Sequence, residues 1–263
     1  MVLGTLMSHH SLIWRLARRE VISRYRGSAI GVLWAFLHPF IMLTVYALVF
    51  HEVFGSRFET SVGGPVDFSM QLFAGLIVFS FLSESFHRAP YLILNNVTYV
   101  KRVVFPLEIL PWTSLCAAVF HAIASVAVLV LLYGFAYGHI PWTVVCFPLV
   151  LVPLALGTMG FSWILASIGV FVRDVGQAIG PATTVLLFLS PVFYPVSAVP
   201  EHYRWVLYFN PLTFLVQQSQ DILIWGRLPN WAGLAIYALG GYLLAWIGLM
   251  WFQRTRKAFA DVV

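Results

Sequence analysis

Six long apolar runs punctuate the chain, at roughly 31–51, 69–87, 107–133, 143–172, 177–194 and 232–252. Each is close to the ~20 residues that a helix needs to cross the hydrocarbon core of a bilayer. The runs are continuous, without the ~10-residue in–out alternation of a membrane β-barrel strand. In lipid a backbone must satisfy its own polar groups, so continuous runs of this length predict helices. The pattern predicts an all-α polytopic membrane protein, one transmembrane domain over 1–263. The fourth run is long enough to tilt or to project beyond the bilayer.

Two further segments are amphipathic or broken. In SLIWRLARREVISRYRG, residues 11–27, a helical wheel places Ile13, Trp14, Ala17, Val21 and Tyr25 on one face. Arg15, Arg18, Arg19 and Arg26 share another, with Ile22 and Arg24 as exceptions. A cationic amphipathic helix beside a span tends to lie flat in the interface with its arginines at anionic headgroups. The alternative is a solvated stub that only sets topology. Residues 195–231 are apolar and aromatic but cut by prolines at 195, 200, 211 and 229. They predict short re-entrant or interfacial helices, a gate or pathway rim, against a plain surface hairpin with an aromatic belt.

Composition agrees with a membrane chain: 60% of 263 residues are hydrophobic and 10% charged, against roughly 25% charged in soluble domains. Charge sets the orientation. With both termini in the cytoplasm, twelve Lys and Arg lie inside and only Arg57, Arg204 and Arg227 outside, as the positive-inside rule requires. No cleavable signal peptide is expected.

Several chemistries are excluded. A P-loop needs a lysine after glycine, yet the two lysines follow Val100 and Arg256. HExxH and GxSxG are missing, and the eight histidines show no metal spacing beyond the adjacent His9 and His10. Cys116 and Cys146 lie in apolar runs and read as buried thiols. An ion-coupled carrier would keep a carboxylate at the midplane or show internal repeats, and neither is visible. A membrane lipid-sugar enzyme would need clustered acidic or His residues on one face. Glu84 and Arg88 stand at i,i+4, where they can pair at the end of the second span. Gly27/Gly31 and Gly176/Gly180 are small-xxx-small pairs that allow close helix approach.

One stretch, NNVTYVKRVVFPLEILP at 95–111, is too apolar for a solvated linker and carries Lys101 and Arg102. A basic loop that sets topology explains the charges. It leaves Val97, Tyr99, Val100 and Val104 unexplained, and these predict packing into a partner's groove.

The motifs RYRGSAIGVLWAFLHP (24–39), VKRVVFPLEILP (100–111), RDV (173–175), SPVFYP (190–195) and NPLTFLV (210–216) occur in that order. With them the chain resembles, over nearly its whole length, the permease subunit of type-2 ABC exporters for cell-surface polysaccharide. The resemblance implies a six-span, non-enzymatic permease in the bacterial inner membrane, working as a homodimer among membrane lipids. Two copies of a separate ATPase would bind ATP and Mg, with no cofactor in this chain and no nucleic acid as partner. The implied cargo is a lipid-linked polysaccharide, favoured as O-antigen on undecaprenyl diphosphate, with teichoic acid or capsule as alternatives. The motif forms look closer to the O-antigen and teichoic-acid branch than to group-2 capsule exporters.

By the same resemblance, Asn95, Val97, Tyr99, Val100, Lys101, Arg102, Val104 and Phe105 belong to a cytoplasmic coupling helix at 95–105 that docks on the ATPase. Arg15, Arg18, Arg19, Arg24 and Arg26 line the entrance for the lipid diphosphate, whose oxygens guanidinium forks bind bidentately. Phe193, Tyr194, Pro195, Tyr203, Trp205, Tyr208, Phe209, Asn210 and Pro211 belong to external gate helices at 195–222.

Overall fold

Proline or asparagine stands at the start of several long helices, at Pro111, Pro148 and Asn230 among them, and Gly138 closes one of them. The computed structural model describes residues 4, 7–52, 64–101 and 105–262. The chain begins with α1 (His10–Arg24), and a 3-10 turn at Gly31–Leu33 leads into α2 (Trp34–Glu52). Then come α3 (Gly64–Arg88), two 3-10 turns, and the four-residue α4 (Val97–Val100). Pro111 starts α5 (Leu110–Tyr137), and Gly138, at φ +70, ends it by donating to the Gly134 carbonyl. Next are α6 (Phe147–Phe171), α7 (Asp174–Phe188), α8 (Arg204–Phe209) and α9 (Pro211–Leu223). The chain closes with α10 (Trp231–Thr255) and α11 (Phe259–Val262). No strand occurs among the described residues.

Among the described residues, five stretches are long and apolar enough to cross a membrane: Gly31–Val49, Phe68–Tyr91, Leu107–Tyr137, Trp142–Phe171 and Trp231–Ala258. The protein is thus a helical, multi-span membrane protein. The run expected at 177–194 is a helix of only 15 residues, or ~22 Å against a hydrocarbon core of ~30 Å. It ends before Pro191, whose ring disfavours helical backbone at Ser190 and which has no N–H to continue the ladder.

Glycine sets the closest helix contact. A Cβ on Gly248 of α10 would lie 2.3 Å from the Gly160 carbonyl oxygen of α6, and one on Gly160 would lie 2.6 Å from Leu244 backbone. Gly241 similarly faces the Pro153 carbonyl at 3.0 Å. With no water to escape inside the bilayer, membrane helices associate through such close backbone approach. The anticipated pairs act otherwise. Gly27 and Gly31 have φ of +88 and +61 with open space around them, so they form the turn between α1 and α2. Gly176 does pack, beneath the Tyr91 ring, but Gly180 faces open space.

Of the spanning stretches the one formed by α3 is the most enclosed, while α2 presents Phe36, Phe40, Val45 and Leu48 outward. A Gly248→Leu substitution should lower the melting temperature of the detergent-purified protein, since overpacking costs about 1–3 kcal/mol. Gly240→Leu, on open surface one helix face away, should leave it unchanged; equal losses would show that the seam is not what is being disturbed.

Candidate functional site

On α1 the buried stripe runs through Ile13 and Ala17, both below 4% exposed, and the helix packs on α5. Trp14 was expected on that face but is 69% exposed. One and two turns further along the same face stand Glu20, half-buried, and Arg24, largely exposed, each with its charged end paired to the bundle. Arg88 of α3 donates to the Glu20 carboxylate, and the Thr113 hydroxyl of α5 donates to the same group at 3.3 Å. Arg24 reaches Glu84 of α3 at 2.5 Å. This explains why Arg24 broke the polar face of the wheel. Arg15, Arg18 and Arg26 point outward.

Glu84 is the hub. Its side chain, 17% exposed, takes Arg24, Arg88 at 3.2 Å and the Nδ1 of His121 at 2.9 Å. The anticipated i,i+4 pair of Glu84 with Arg88 is thus formed. Nδ1 of His121 faces both oxygens of the Glu84 carboxylate, at 2.9 and 3.0 Å, and stands 3.2 Å from Arg24, while its Nε2 lies 3.0 Å from the Tyr25 hydroxyl. Burial pushes the Tyr25 phenol up, so it remains a donor. His121 lies eleven residues into an apolar helix; sequence reasoning passed it over, although a lone imidazole in a span was the available signal. Three helices, α1, α3 and α5, are joined by this one network. A cavity of about 530 Å³ opens beside it, between α2, α3 and α5, walled by Trp34, Tyr46, Phe73, Ser80 and Ser125.

Residues 95–105 lie against the same end. Tyr99 stacks on Phe105 with centroids 4.3 Å apart, and its hydroxyl receives a hydrogen bond from Arg19 of α1 at 3.1 Å. Tyr99, Val100 and Phe105 pack in part on the chain's own core, and Val97 is half-buried. Asn95 and Lys101 are exposed. Arg102 and Val104 lie outside the described residues. A polar cavity of about 380 Å³ separates this segment from α1, lined by Arg19, Glu20, Arg88, Asn95 and Asn96. No pattern in the sequence signals that the arginine-rich helix meets Tyr99.

Of the residues expected at a gate, Phe209 and Pro211 line a cavity with Leu82 of α3, Phe161 of α6 and Tyr237 of α10. Tyr203, Trp205, Tyr208 and Phe209 are 58–83% exposed. Phe193 and Tyr194 are half-buried, and Pro195 and Pro211 are exposed. Asn210 is different: it is 6% exposed, accepts from the Leu212 N–H to cap α9, and donates to the Leu189 carbonyl and the Ser190 hydroxyl. It pins the end of α7 to the start of α9. The following helix enters the bundle as a polar insert. Ser219 donates to the Ala74 carbonyl and Gln220 to the Gln71 carbonyl, both at 3.2 Å. Gln218 accepts from the Asn230 N–H at 2.6 Å. Among the described residues no cluster of His, Cys, Asp or Glu is fit to hold a metal.

Replacing Glu84 with Gln should strand Arg24, leave Arg88 with Glu20 alone, and destabilise the purified protein by about 1–3 kcal/mol. That is below the ~3–5 kcal/mol of a fully buried pair because Arg24 is 47% exposed. Adding Arg24→Gln should cost less than the sum of the two single changes, measured by thermal unfolding in detergent; strict additivity would deny the contact.

Residues 11–224 match the model of the family described as ABC-2 type transporter. The chain is 30% identical over 261 residues to the O-antigen export system permease protein RfbA of Myxococcus xanthus, covering 98% of this chain and 97% of that one. It is 23% identical to a protein of the same name from Klebsiella pneumoniae, over 94% and 93% of the two chains. The polysialic acid transport protein KpsM of Escherichia coli is 24% identical, over 91% and 92%. The family match runs from α1 through α9 and so takes in the charged network, the 95–105 segment and the polar insert together. The chain belongs to the ABC-2 type transporter family.

Proposed function

We propose that this chain is the membrane-embedded permease subunit of an ATP-driven exporter of cell-surface polysaccharide in the bacterial inner membrane. The observation that carries the reading is the likeness, over almost the full length of both chains, to O-antigen export permeases. Lipid-linked O-antigen on undecaprenyl diphosphate is the favoured cargo, since identity to the Myxococcus protein is 30% against 24% for the polysialic acid transporter. Hydrolysis belongs to a separate ATPase that binds ATP and Mg, two copies serving two permeases. Both termini are cytoplasmic, and α7 with the turn after it completes a sixth crossing.

Mechanically, residues 95–105 receive the ATPase and pass its motion to α1. The Arg19–Tyr99 hydrogen bond and the Glu20–Arg88 pair support this route, because both join α1 to the elements flanking that segment. Tyr99 and Phe105 brace the segment from within, so Asn95, Lys101 and Arg102 make the outward contact. Arg15, Arg18, Arg19 and Arg26 receive the diphosphate, while Arg24 anchors the helix on Glu84. The outward apolar faces of α2 and α7 meet a second copy, and the glycan passes between the two permeases. It leaves past the exposed aromatics of 203–209, whose flat faces match the C–H faces of sugar rings. An ion-coupled carrier is disfavoured because the Glu84 carboxylate is already matched by two arginines.

The test is co-purification with the ATPase, reconstitution, and transport of lipid-linked glycan. Changing Lys101 and Arg102 together to Glu should leave insertion intact and abolish export while hydrolysis continues. Normal export by that variant would remove 95–105 from coupling. Changing Arg15 and Arg18 to Gln should reduce substrate-stimulated hydrolysis several-fold, at ~1 kcal/mol per cation near an anionic surface. Unchanged stimulation would leave those arginines as topology signals.

A further inference from the structure

The last span carries a site that the export reading does not use. On α10 the face that meets α6 is Gly241, Ala245, Gly248, Leu249 and Phe252, all buried. A different face, Trp246, Met250, Gln253, Arg254 and Lys257, lines an open groove of about 460 Å³. The spacing i, i+4, i+7, i+8, i+11 sets these side chains in one row. The row is ~16 Å long, about half of a hydrocarbon core, and it changes character along its length. It begins with an indole and a thioether inside the spanning stretch. It ends in an amide, a guanidinium and an ammonium where the helix breaks into the 3-10 turn Arg256–Ala258.

The cations at the end of this row are uncommitted. Some cations at this end of the bundle are matched, Arg24 and Arg88 with Glu84, Arg88 with Glu20, and Arg256 with Glu108 at 2.8 Å, while Arg15, Arg18, Arg26 and Lys101 stand outward on other elements. Arg254 and Lys257 are exposed and make no ion pair or hydrogen bond among the described residues. Two free cations at a membrane boundary, above an apolar groove, match a phosphodiester headgroup carrying acyl chains.

We propose that Trp246, Met250, Gln253, Arg254 and Lys257 form a binding site for one anionic phospholipid. Its phosphate sits between Arg254 and Lys257 with Gln253 donating, and an acyl chain runs along Met250 and Trp246. A zwitterionic lipid carries its own ammonium and gains less from the pair, so the site selects by net charge. The proposal rests on no assumption about the exported substrate.

The test uses the full-length protein in phosphatidylcholine nanodiscs containing photoreactive phosphatidylglycerol, with labelled residues mapped by mass spectrometry. Residues 246–257 should be labelled strongly by this probe and weakly by a photoreactive phosphatidylcholine. Arg254→Gln with Lys257→Gln should cut the labelling of this stretch about tenfold while labelling around residues 11–27 persists. Should the double variant fail to fold, Lys257→Gln alone should give about a threefold loss. Equal labelling by both probes would reduce the groove to ordinary boundary lipid and overturn the proposal. So would undiminished labelling of the variants. Displacement by excess inorganic phosphate would instead mark a free-anion site, and protection by added ATPase would mark a protein interface; either result overturns it.

Discussion

Burying the Glu84 carboxylate among spanning helices is the constraint on which the rest of this end of the molecule depends. A lone carboxylate in a low-dielectric surrounding is costly, and it is tolerated only with counter-charges and hydrogen bonds around it. The two arginines come from different elements, Arg24 from α1 and Arg88 from α3 itself, and the imidazole comes from α5. Satisfying one group therefore fixes three helices relative to one another. It also sets the roll of α1, turning Glu20 and Arg24 inward and leaving Trp14 and the remaining arginines outward. The amphipathic helix is not merely adsorbed to a membrane surface; it is bolted to the bundle.

Two other devices hold the scaffold, and both answer the same shortage of polar partners within a bilayer. Backbone proximity at Gly160 and Gly248 lets α6 and α10 approach until main chain meets main chain. The insert α9 works by hydrogen bonding instead, with Ser219 and Gln220 reaching carbonyl groups of α3. Such side chain–backbone bonds permit a short helix within the bundle, provided its ends are capped, as Asn210 does here. The two ends of α3 thereby carry different loads, ions at one and amides at the other.

That division suits a permease that must transmit force. The element proposed to meet the ATPase, the helix proposed to meet the lipid carrier and the first turns of α5 are tied by short polar contacts, so displacement of one is felt by the others. The aromatic row at 203–209 is held by Asn210 and by the Thr213 hydroxyl on the Leu207 carbonyl. Its rings stay exposed while its backbone is anchored, an arrangement compatible with a rim that contacts passing cargo.

Much of this was legible in the sequence, because a bilayer allows few solutions. Length and continuity of apolar runs determined helices and their approximate bounds, and the Glu84–Arg88 spacing determined their pairing, since both follow from local periodicity. Proline determined where α7 stops, although the apolar residues beyond Leu189 hid that in a hydropathy reading. The family was legible from ordered motifs, none of which depends on contacts. What tertiary structure alone decided is which distant residues meet. Arg24 with Glu84, Arg19 with Tyr99, Glu108 with Arg256 and Gly160 with Gly248 are separated by 60 or more residues in every case. A helical wheel sorts residues by polarity but cannot tell a polar side chain facing water from one facing a buried counter-charge. That distinction depends on what the opposing helix brings, and so it exists only once the helices have packed.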